Sequence, residues 1–282
     1  MGGPAYHVSL LSGRMDQQRF PTLLVSGRVP AGEASSDGLA QRYGAHHMRI
    51  DTLGPELRPL QDLRALRDVA RIARSFRPHI IHTHTAKAGF IGRLAAALCG
   101  SPRPIVLHTY HGHVLEGYFN RPVTAFYRSL EWAMARRSDR LIGVSTATVD
   151  DLVRLRVADR SKFDVVPLGL ELDEFLALPP EPGGPFRDEL GLEPGDILAT
   201  FVGRLVPIKR VDVMLRAVAR ARELGAPLKL AVVGDGDLRG ELEALAAGLG
   251  IAGDVRFVGY RSDLAAIVAG TDVGLLTSDN EG

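Results

Sequence analysis

The stretch from Ile197 to Gly236 constrains the fold of this chain more than any other part of the sequence. An apolar run over residues 197–202 ends at Gly203, and a second apolar run over residues 228–233 ends at Gly234. Between the two runs, apolar residues follow the helical spacing i, i+3, i+4, i+7: Val211, Met214, Leu215 and Val218. The order strand, loop, helix, strand predicts a parallel α/β unit, because neighbouring parallel strands need a long crossover connection that is usually a helix.

Two cations, Arg204 and Lys209, come directly after the first of these predicted strands. In a parallel α/β sheet, ligands bind outside the carboxyl ends of the strands. Arginine can hold a phosphate through its bidentate fork, and lysine supplies a point charge. The position of the two side chains therefore indicates a diphosphate site. The alternative is that they only solvate a loop.

The composition narrows the class of protein and its partners. A length of 282 residues is typical of about two domains, and 45% hydrophobic with 24% charged residues is typical of a soluble globular protein. The formal net charge of +1 gives no reason to expect a nucleic-acid partner. A single cysteine, Cys99, cannot form an internal disulfide, which favours a reducing compartment and a cytoplasmic protein.

Four short motifs carry a resemblance to a known family. They read FVGRL…K, VVGDG, VRFVGY and DVGLLTS…EG, in this order between residues 201 and 282. Together they resemble the donor-binding half of GT-B glycosyltransferases, in particular the large retaining group of the family four type. The resemblance covers almost the whole chain. It implies an α/β fold of GT-B architecture, with two Rossmann-like domains that face a cleft.

The resemblance and the local composition together predict the domain organisation. Residues 1–177 would form an acceptor-side Rossmann-like domain, residues 178–195 a linker rich in proline and glycine, and residues 196–282 part of the donor-binding domain. In the family a strand precedes a Gly-Gly turn, so we expect the first strand to be missing here. The family also continues beyond the counterpart of Gly282 with a ribose-holding glutamate and further helices, so we expect the second domain to be incomplete.

The resemblance implies roles for individual residues. Arg204 and Lys209 would stabilise the departing diphosphate, Glu281 would contact the donor sugar, and His111 would contact the transferred sugar or the acceptor. His113 is the second choice for the histidine, and a buried structural histidine is the alternative. Further substrate contacts would come from residues in the turns: Gly2, Gly3, Gly203, Gly234, Gly259, Tyr260, Arg261 and Gly282.

Two patterns could suggest a metal. His82 and His84 alternate along a predicted strand and so face the same way, but no clear third ligand lies nearby. We expect them to pack, to form hydrogen bonds or to line the cleft. The sequence Asp235-Gly236-Asp237 matches the metal-binding DxD of the other glycosyltransferase architecture, but its setting predicts a turn that ends a strand. We therefore expect neither a metal nor another cofactor.

Residues 63–76 form a predicted amphipathic helix. Its apolar side contains Leu63, Leu66, Ala70 and Ala73. Its basic side contains Arg64, Arg67, Arg71 and Arg74. A basic face can contact anionic lipid headgroups, and many relatives act on lipid-linked acceptors at a membrane, which would bring the protein to its inner face. A solvated face is the favoured alternative.

The resulting hypothesis is a retaining, metal-independent glycosyltransferase. It would move a sugar from a UDP-sugar or GDP-sugar to a hydroxyl of a glycan or lipid-linked acceptor, in cell-envelope or exopolysaccharide synthesis. One alternative is a nucleotide-sugar epimerase of the same architecture, for which no acid/base constellation is evident. Another is a non-catalytic fragment with partial donor binding. A dehydrogenase is disfavoured, because no GxGxxG opens a strand–helix unit. The donor sugar, its base, the acceptor and the oligomeric state stay open.

Overall fold

The computed structural model describes residues 3–29, 37–113, 115 and 120–279. The chain divides into two compact units, the first running through Leu170 and the second beginning at Glu171. Each unit contains its own parallel sheet with helical crossovers. This arrangement confirms the predicted fold class of two Rossmann-like domains.

The first unit contains a two-stranded parallel pair, β1 with β2, and a four-stranded parallel sheet in the order β3-β4-β5-β6. The strands are β1 Leu24–Ser26, β2 His47–Arg49, β3 Ile80–His84, β4 Ile105–Tyr110, β5 Arg140–Gly143 and β6 Phe163–Val165. The helices are α1 Gly3–Arg14, α2 Asp37–Arg42, α3 Pro59–Phe76, α4 Ala86–Ala96, α5 Arg121–Arg137 and α6 Thr146–Arg154, and a 3-10 turn spans Arg160–Lys162.

Two glycines let helix α4 lie close to the four-stranded sheet. A Cβ on Gly92 would lie 2.6 Å from Cγ2 of Thr83, and a Cβ on Gly89 would lie 2.5 Å from Cε1 of His108. Both distances are shorter than real Cβ contacts. The absence of side chains at these two positions therefore brings the helix against β3 and β4, the strands that carry the histidines of the first unit.

Helix α1 forms where the apolar spacing of Val8, Leu11 and Met15 predicts a helix, but a different face is buried. The buried residues are Ser9 and Ser12, and a Cβ on Gly13 would collide with the backbone of the α2-to-β2 turn. Small side chains allow the close approach, so this helix is packed through its small residues rather than through its larger apolar ones.

Helix α3 begins at Pro59, earlier than the predicted start, because proline is well suited to the first turn of a helix. Its buried residues are Ala65, Ala70 and Ala73. Leu63, predicted on the apolar side, is 44% exposed, so that assignment is wrong. The four arginines of the predicted basic side are all exposed.

The second unit contains a four-stranded parallel sheet in the order β10-β7-β8-β9. The strands are β7 Ile197–Val202, β8 Leu228–Val233, β9 Val255–Gly259 and β10 Val273–Gly274. The helices are α7 Asp173–Leu176, α8 Pro185–Leu190, α9 Val211–Glu223, α10 Arg239–Gly248 and α11 Leu264–Gly270, and a 3-10 turn spans Pro207–Lys209. The apolar stripe predicted on α9 is buried along its whole length, against β7 and β8.

The segment predicted as a linker, residues 178–195, is structured in its second half. Helix α8 lies within it, and Phe186 is 1% exposed in a core cluster with Leu198 and Ile267. Arg187 adds an ion pair of 2.6 Å to Asp272. The proline and glycine content indicated a linker, but Phe186 and Arg187 hold this helix on the second unit.

Candidate active site

Three glycines meet at the carboxyl ends of β7, β8 and β9. The Gly203 N–H donates to the carbonyl of Val233 over 2.9 Å, and the Gly234 N–H donates to the carbonyl of Gly259 over 2.8 Å. Gly234 has φ +134°, and a Cβ there would collide with the carbonyl of Gly203. The backbone along this edge is therefore bare, which lets a ligand approach it closely. We call these three residues the glycine edge.

The loop that carries the two predicted cations begins at the glycine edge and is held firmly. Leu205 is fully buried, its N–H donates to the carbonyl of Asp235 over 3.0 Å, and its own carbonyl accepts from Leu238 over 3.3 Å. On either side of this fixed point, the side chain of Arg204 is exposed and that of Lys209 is half-buried. The structure thus places both cations on one ordered loop at the carboxyl edge of the sheet.

The loop after β10 is tied to the same segment. The Thr277 hydroxyl donates to the carbonyls of Lys209 and Arg210 over 3.2 and 2.8 Å. The Asp279 N–H donates to Ile208 over 3.0 Å, and its carboxylate accepts from Arg210 over 3.1 Å. Sequence reasoning missed Arg210. A cation next to Lys209 and two residues before Asp212 is the signal that could have found it.

Three of the predicted site residues, Gly2, Glu281 and Gly282, lie outside the described residues, so their assignments stay predictions. Gly3 is the first residue of α1, is exposed, and has no atom within 4 Å of the position its Cβ would take. The contacts of this motif are defined as far as Asp279, two residues before Glu281.

Two predicted substrate contacts, Tyr260 and Arg261, follow β9. The first side chain is exposed, and the second is held in ion pairs. Tyr260 is 61% exposed. Arg261 donates to Glu189 over 2.7 Å and to Asp263 over 2.6 Å, and its guanidinium lies 5.4 Å from the ring centroid of Phe186. The hydrogen bond to Arg261 lowers the pKa of Asp263 to about 2. The side chain of Arg261 therefore fastens α8 to the sheet, which leaves its backbone for the predicted substrate contact.

In the first unit, four histidine rings cluster at the carboxyl ends of β3 and β4. His84 Nδ1 and His111 Nε2 are 3.0 Å apart, and the ring centroids of His82 and His84 are 4.3 Å apart. His82 Nε2 also lies 2.7 Å from the Thr109 hydroxyl. The fourth ring, His7 on α1, has its centroid 5.3 Å from that of His111. Sequence reasoning missed His7, because nothing near it along the chain indicates a site.

Burial makes this histidine cluster neutral at physiological pH. It lowers the pKa of His82 and of His111 to about 4 and that of His84 to about 2, with further lowering from the neighbouring rings. A neutral imidazole has one donor and one acceptor nitrogen. The Nε2 atom of His111 is engaged with His84, whereas its buried Nδ1 atom has no hydrogen-bond partner among the described residues. His111 therefore has one ring nitrogen whose hydrogen-bonding capacity the described residues do not use.

His113, the second choice for the substrate-contacting histidine, has a structural role. Its side chain is 3% exposed, its Nδ1 accepts from the Leu115 N–H over 3.3 Å, and its Nε2 lies 3.4 Å from a carboxylate oxygen of Asp151. Because Nδ1 accepts, Nε2 carries the proton that Asp151 accepts. Both ring nitrogens are thus used within the protein, and the predicted candidate role of His113 is wrong.

Neither the turn after β8 nor the histidine cluster offers a metal site. In the Asp235-Gly236-Asp237 turn, the carboxylate of Asp235 accepts from the Gly236 N–H over 2.8 Å and from Arg239 over 3.4 Å. Among the residues that the structure describes, no group of three or more His, Cys, Asp or Glu side chains could hold a metal ion. Nor is any helix in these ranges both long and apolar enough to cross a membrane.

These sites carry the motifs of a known family over both units. Residues 1–174 match Glycosyltransferase Family 4, and residues 185–282 match Glycosyl transferases group 1. The chain belongs to glycosyltransferase family 4. Its structure is similar to that of HepE from Anabaena in complex with UDP and glucose, with a TM-score of 0.79 over 98% of this chain and 71% of HepE at 18% identity. This likeness supports the GT-B fold.

Two curated relatives differ in what they act on. UDP-Gal:α-D-GlcNAc-diphosphoundecaprenol α-1,3-galactosyltransferase of Escherichia coli is 29% identical over 237 residues, which cover 83% of this chain and 60% of that enzyme. D-inositol 3-phosphate glycosyltransferase of Rhodococcus erythropolis is 35% identical over 190 residues, which cover 64% of this chain and 42% of that enzyme. The matched regions thus span 60% and 42% of the two relatives.

Proposed function

We propose that this family 4 glycosyltransferase transfers a sugar from a UDP-sugar to a hydroxyl group of a glycan or lipid-linked acceptor. The transfer would retain the configuration at the anomeric carbon, use no metal or other cofactor, and serve cell-envelope or exopolysaccharide synthesis. The observation that carries the proposal is the glycine edge of Gly203, Gly234 and Gly259, with Arg204 and Lys209 on the ordered loop beside it.

UDP is preferred over GDP as the nucleotide of the donor. The HepE structures with similar folds hold UDP and UDP-glucose, and the name of the Escherichia coli relative gives UDP-Gal as its donor. The same name gives a diphosphoundecaprenol acceptor, which supports a lipid-linked acceptor here.

The chemistry at the donor is charge stabilisation of the leaving group. As the bond between the anomeric carbon and the diphosphate breaks, negative charge develops on the diphosphate oxygens. Cations that are already fixed beside a bare backbone edge can stabilise that charge without moving. Electrostatic stabilisation of this kind is the largest single contribution to catalysis in many enzymes. Arg204 and Lys209 would act in this way, while the acceptor oxygen forms the new bond to the anomeric carbon and its hydroxyl proton passes to the departing diphosphate.

The first unit would supply the group that orients the sugar or the acceptor. His111 is neutral and half-buried, and it keeps Nδ1 available for a hydroxyl while His84 engages Nε2. Glu281 would contact the donor sugar from the loop that Thr277 and Asp279 tie to the turn at Lys209. No carboxylate is assigned as a covalent nucleophile.

Calorimetric titration of the chain with UDP, GDP and a panel of UDP-sugars tests the donor site. We expect UDP to bind more tightly than GDP, and Arg204→Ala to weaken UDP binding by about 10- to 100-fold, the range for one charged hydrogen bond. Arg216→Ala is the matched control, because Arg216 is an exposed arginine on α9 of the same unit.

Equal UDP binding by wild type and Arg204→Ala would contradict the assignment. No binding of any nucleotide would favour the alternative of a non-catalytic fragment. Mass spectrometry of reactions with UDP-sugars and a lipid-linked diphosphate acceptor then identifies the transferred sugar, and anomeric NMR of the product tests retention.

A further inference from the structure

A cavity of about 690 Å³ opens on the first unit, and none of its lining residues belongs to either site described above. It lies between the C-terminal halves of α5 and α6 and the 3-10 turn before β6, and its floor contains Ala135, Val153 and Val157 from the apolar core. These elements precede β5 and β6 along the chain, so the cavity lies by the amino ends of those strands. The histidine cluster lies at the opposite, carboxyl edge of the same sheet.

The rim of this cavity is strongly basic in a chain whose formal net charge is only +1. Four cationic side chains line the cavity: Arg136, Arg156, Arg160 and Lys162. Asp159 is the one acidic side chain among the lining residues. None of the four takes part in an ion pair within the described ranges, although nearby arginines do. Arg140 pairs with Asp164 over 2.5 Å, and Arg154 pairs with Asp151 over 2.6 Å. The rim cations therefore make no close ion pair, although Lys162 interacts electrostatically with Asp139 and Arg160 with Asp164.

A planar apolar surface stands next to these charges. Trp132 is 48% exposed, and the guanidinium of Arg136 lies 4.9 Å from its ring centroid. Together with the apolar floor, the indole gives the cavity a wall that suits an uncharged part of a ligand. The cavity thus combines a cationic rim with an apolar interior.

Arg156 holds one of these charges in an unfavourable backbone conformation. It follows the end of α6 with φ +58°, the left-handed region in which glycine is preferred. Its N–H donates to the carbonyl of Val153, and the next N–H, of Val157, donates to that of Leu152, both over 2.9 Å. A glycine would fit this helix end better, and the arginine instead places a cation over the cavity.

We propose that this cavity binds an anion that carries a diphosphate, or two neighbouring phosphates, beside an apolar group. Arg156, Arg160 and Lys162 contact the phosphate oxygens, because guanidinium forks pair bidentately with phosphate and an ammonium adds a point charge. Four cations and one carboxylate leave a net charge of +3 on the rim, which a diphosphate matches in one compact group better than separate carboxylates do. The apolar part of the ligand packs on Trp132 and the floor. This inference is independent of the proposed sugar transfer.

The single tryptophan of the chain, Trp132, makes the site directly observable. Titration with inorganic pyrophosphate at constant ionic strength should give a saturable change in its fluorescence. Arg204→Ala in the second unit separates this response from pyrophosphate binding at the candidate donor site, and it should give the same change in Trp132 fluorescence as wild type. Sodium chloride at equal ionic strength serves as the control for screening, and an equal response to it would overturn the proposal.

Two glycine variants separate binding from folding. Arg156→Gly should weaken pyrophosphate binding by about tenfold or more, the effect of losing one charged contact. Arg77→Gly is the matched control, because Arg77 follows α3 in the same left-handed conformation, with φ +52°, outside the cavity. Since glycine relieves the strain at both positions, both variants should melt at or above the wild-type temperature. Unchanged binding in Arg156→Gly, or equal weakening in Arg77→Gly, would overturn the proposal.

Titration with lipid vesicles distinguishes a lipid headgroup from a free phosphate compound as the ligand of this cavity. Phosphatidylglycerol vesicles that shift Trp132 emission to shorter wavelength, in a manner that Arg156→Gly reduces, would support a headgroup as the source. A response to pyrophosphate alone would support a free ligand. Vesicles of pure phosphatidylcholine, which carry no net charge, should give no shift in either case. No response to pyrophosphate or to phosphatidylglycerol contradicts the site.

Discussion

At the scale of single residues, we propose that the histidine cluster and the cations after β7 have separate roles, one in each unit. The Nε2 atom of His111 is engaged with His84, and its Nδ1 atom has no partner among the described residues. Arg204 and Lys209 lie in the other unit, on the loop beside the glycine edge. A neutral ring orients a hydroxyl, whereas fixed cations stabilise developing charge, so loss of either should affect different measurable steps.

His111→Ala tests this division. We expect the variant to bind UDP as wild type does, since His111 lies in the first unit, while sugar transfer falls by about 10²-fold or more, by analogy with other lost oriented groups. His79→Ala, an exposed histidine that precedes β3, should change neither quantity. Calorimetry and product formation measure the two effects, and a parallel loss of UDP affinity would assign His111 a structural role instead.

The lowered histidine pKa values also predict how stability depends on pH. Between pH 6.5 and about 4, the unfolded chain takes up protons at His82 and His111 that the folded unit does not. Stability of the first unit is therefore complete above about pH 6.5 and decreases as the pH falls toward 4. Urea unfolding at pH 7.5, 6 and 5, followed by Trp132 fluorescence, measures the free energy of unfolding of the first unit at each pH.

His82→Gln keeps a polar group near the Thr109 hydroxyl and removes the titration. We expect it to reduce the loss of stability at pH 5 by on the order of 1 kcal/mol. If the free energy of unfolding depends on pH equally in wild type and variant, burial of His82 does not cause the loss of stability at low pH.

At the scale of elements, the glycine edge depends on close backbone contact between neighbouring strand ends. Gly234→Ala should lower the free energy of unfolding of the second unit by roughly 2–4 kcal/mol, because its φ is unfavourable for alanine and its Cβ would collide with Gly203. In Gly240→Ala, on α10, the added Cβ meets nothing within 4 Å, and the variant should be unchanged or slightly more stable. Denaturant unfolding of both variants distinguishes edge packing from a general effect of alanine.

Helix α8 offers a test of where the second unit begins. Phe186→Ala should destabilise the second unit by about 3–5 kcal/mol, the range for a phenylalanine removed from a packed core. Leu176→Ala on α7 is the control, because Leu176 is 79% exposed. Similar stability of the two variants, measured by chemical denaturation, would mean that α8 is not an integral part of the unit.

At the scale of the whole molecule, each unit has its own parallel sheet and its own core, and the candidate diphosphate-binding cations, Arg204 and Lys209, lie in the second. A protein of residues 171–282 should therefore fold alone and bind UDP within about threefold of the whole chain, a difference of under 1 kcal/mol. Circular dichroism and calorimetry check the two parts of this expectation. A folded second unit without UDP affinity would show that the nucleotide needs the first unit.

The sequence by itself determined the features that repeat locally. Apolar runs predicted the strands, the spacing of Val211, Met214, Leu215 and Val218 predicted a buried helix face, and glycines marked the strand ends. These signals lie within single elements, so they are visible along the chain. They were sufficient to predict one parallel α/β unit and the loop that carries Arg204 and Lys209, whereas the second Rossmann-like domain was implied by the family resemblance.

Only the tertiary structure decided which side chains meet. His113 is paired with Asp151, 38 residues away, and Arg261 with Glu189, 72 residues away. His7 joins the histidine cluster from a helix packed through serines, and Phe186 turns part of a predicted linker into core. Contacts of this kind depend on how elements pack in three dimensions, and neither periodicity nor residue type along the chain encodes the partner.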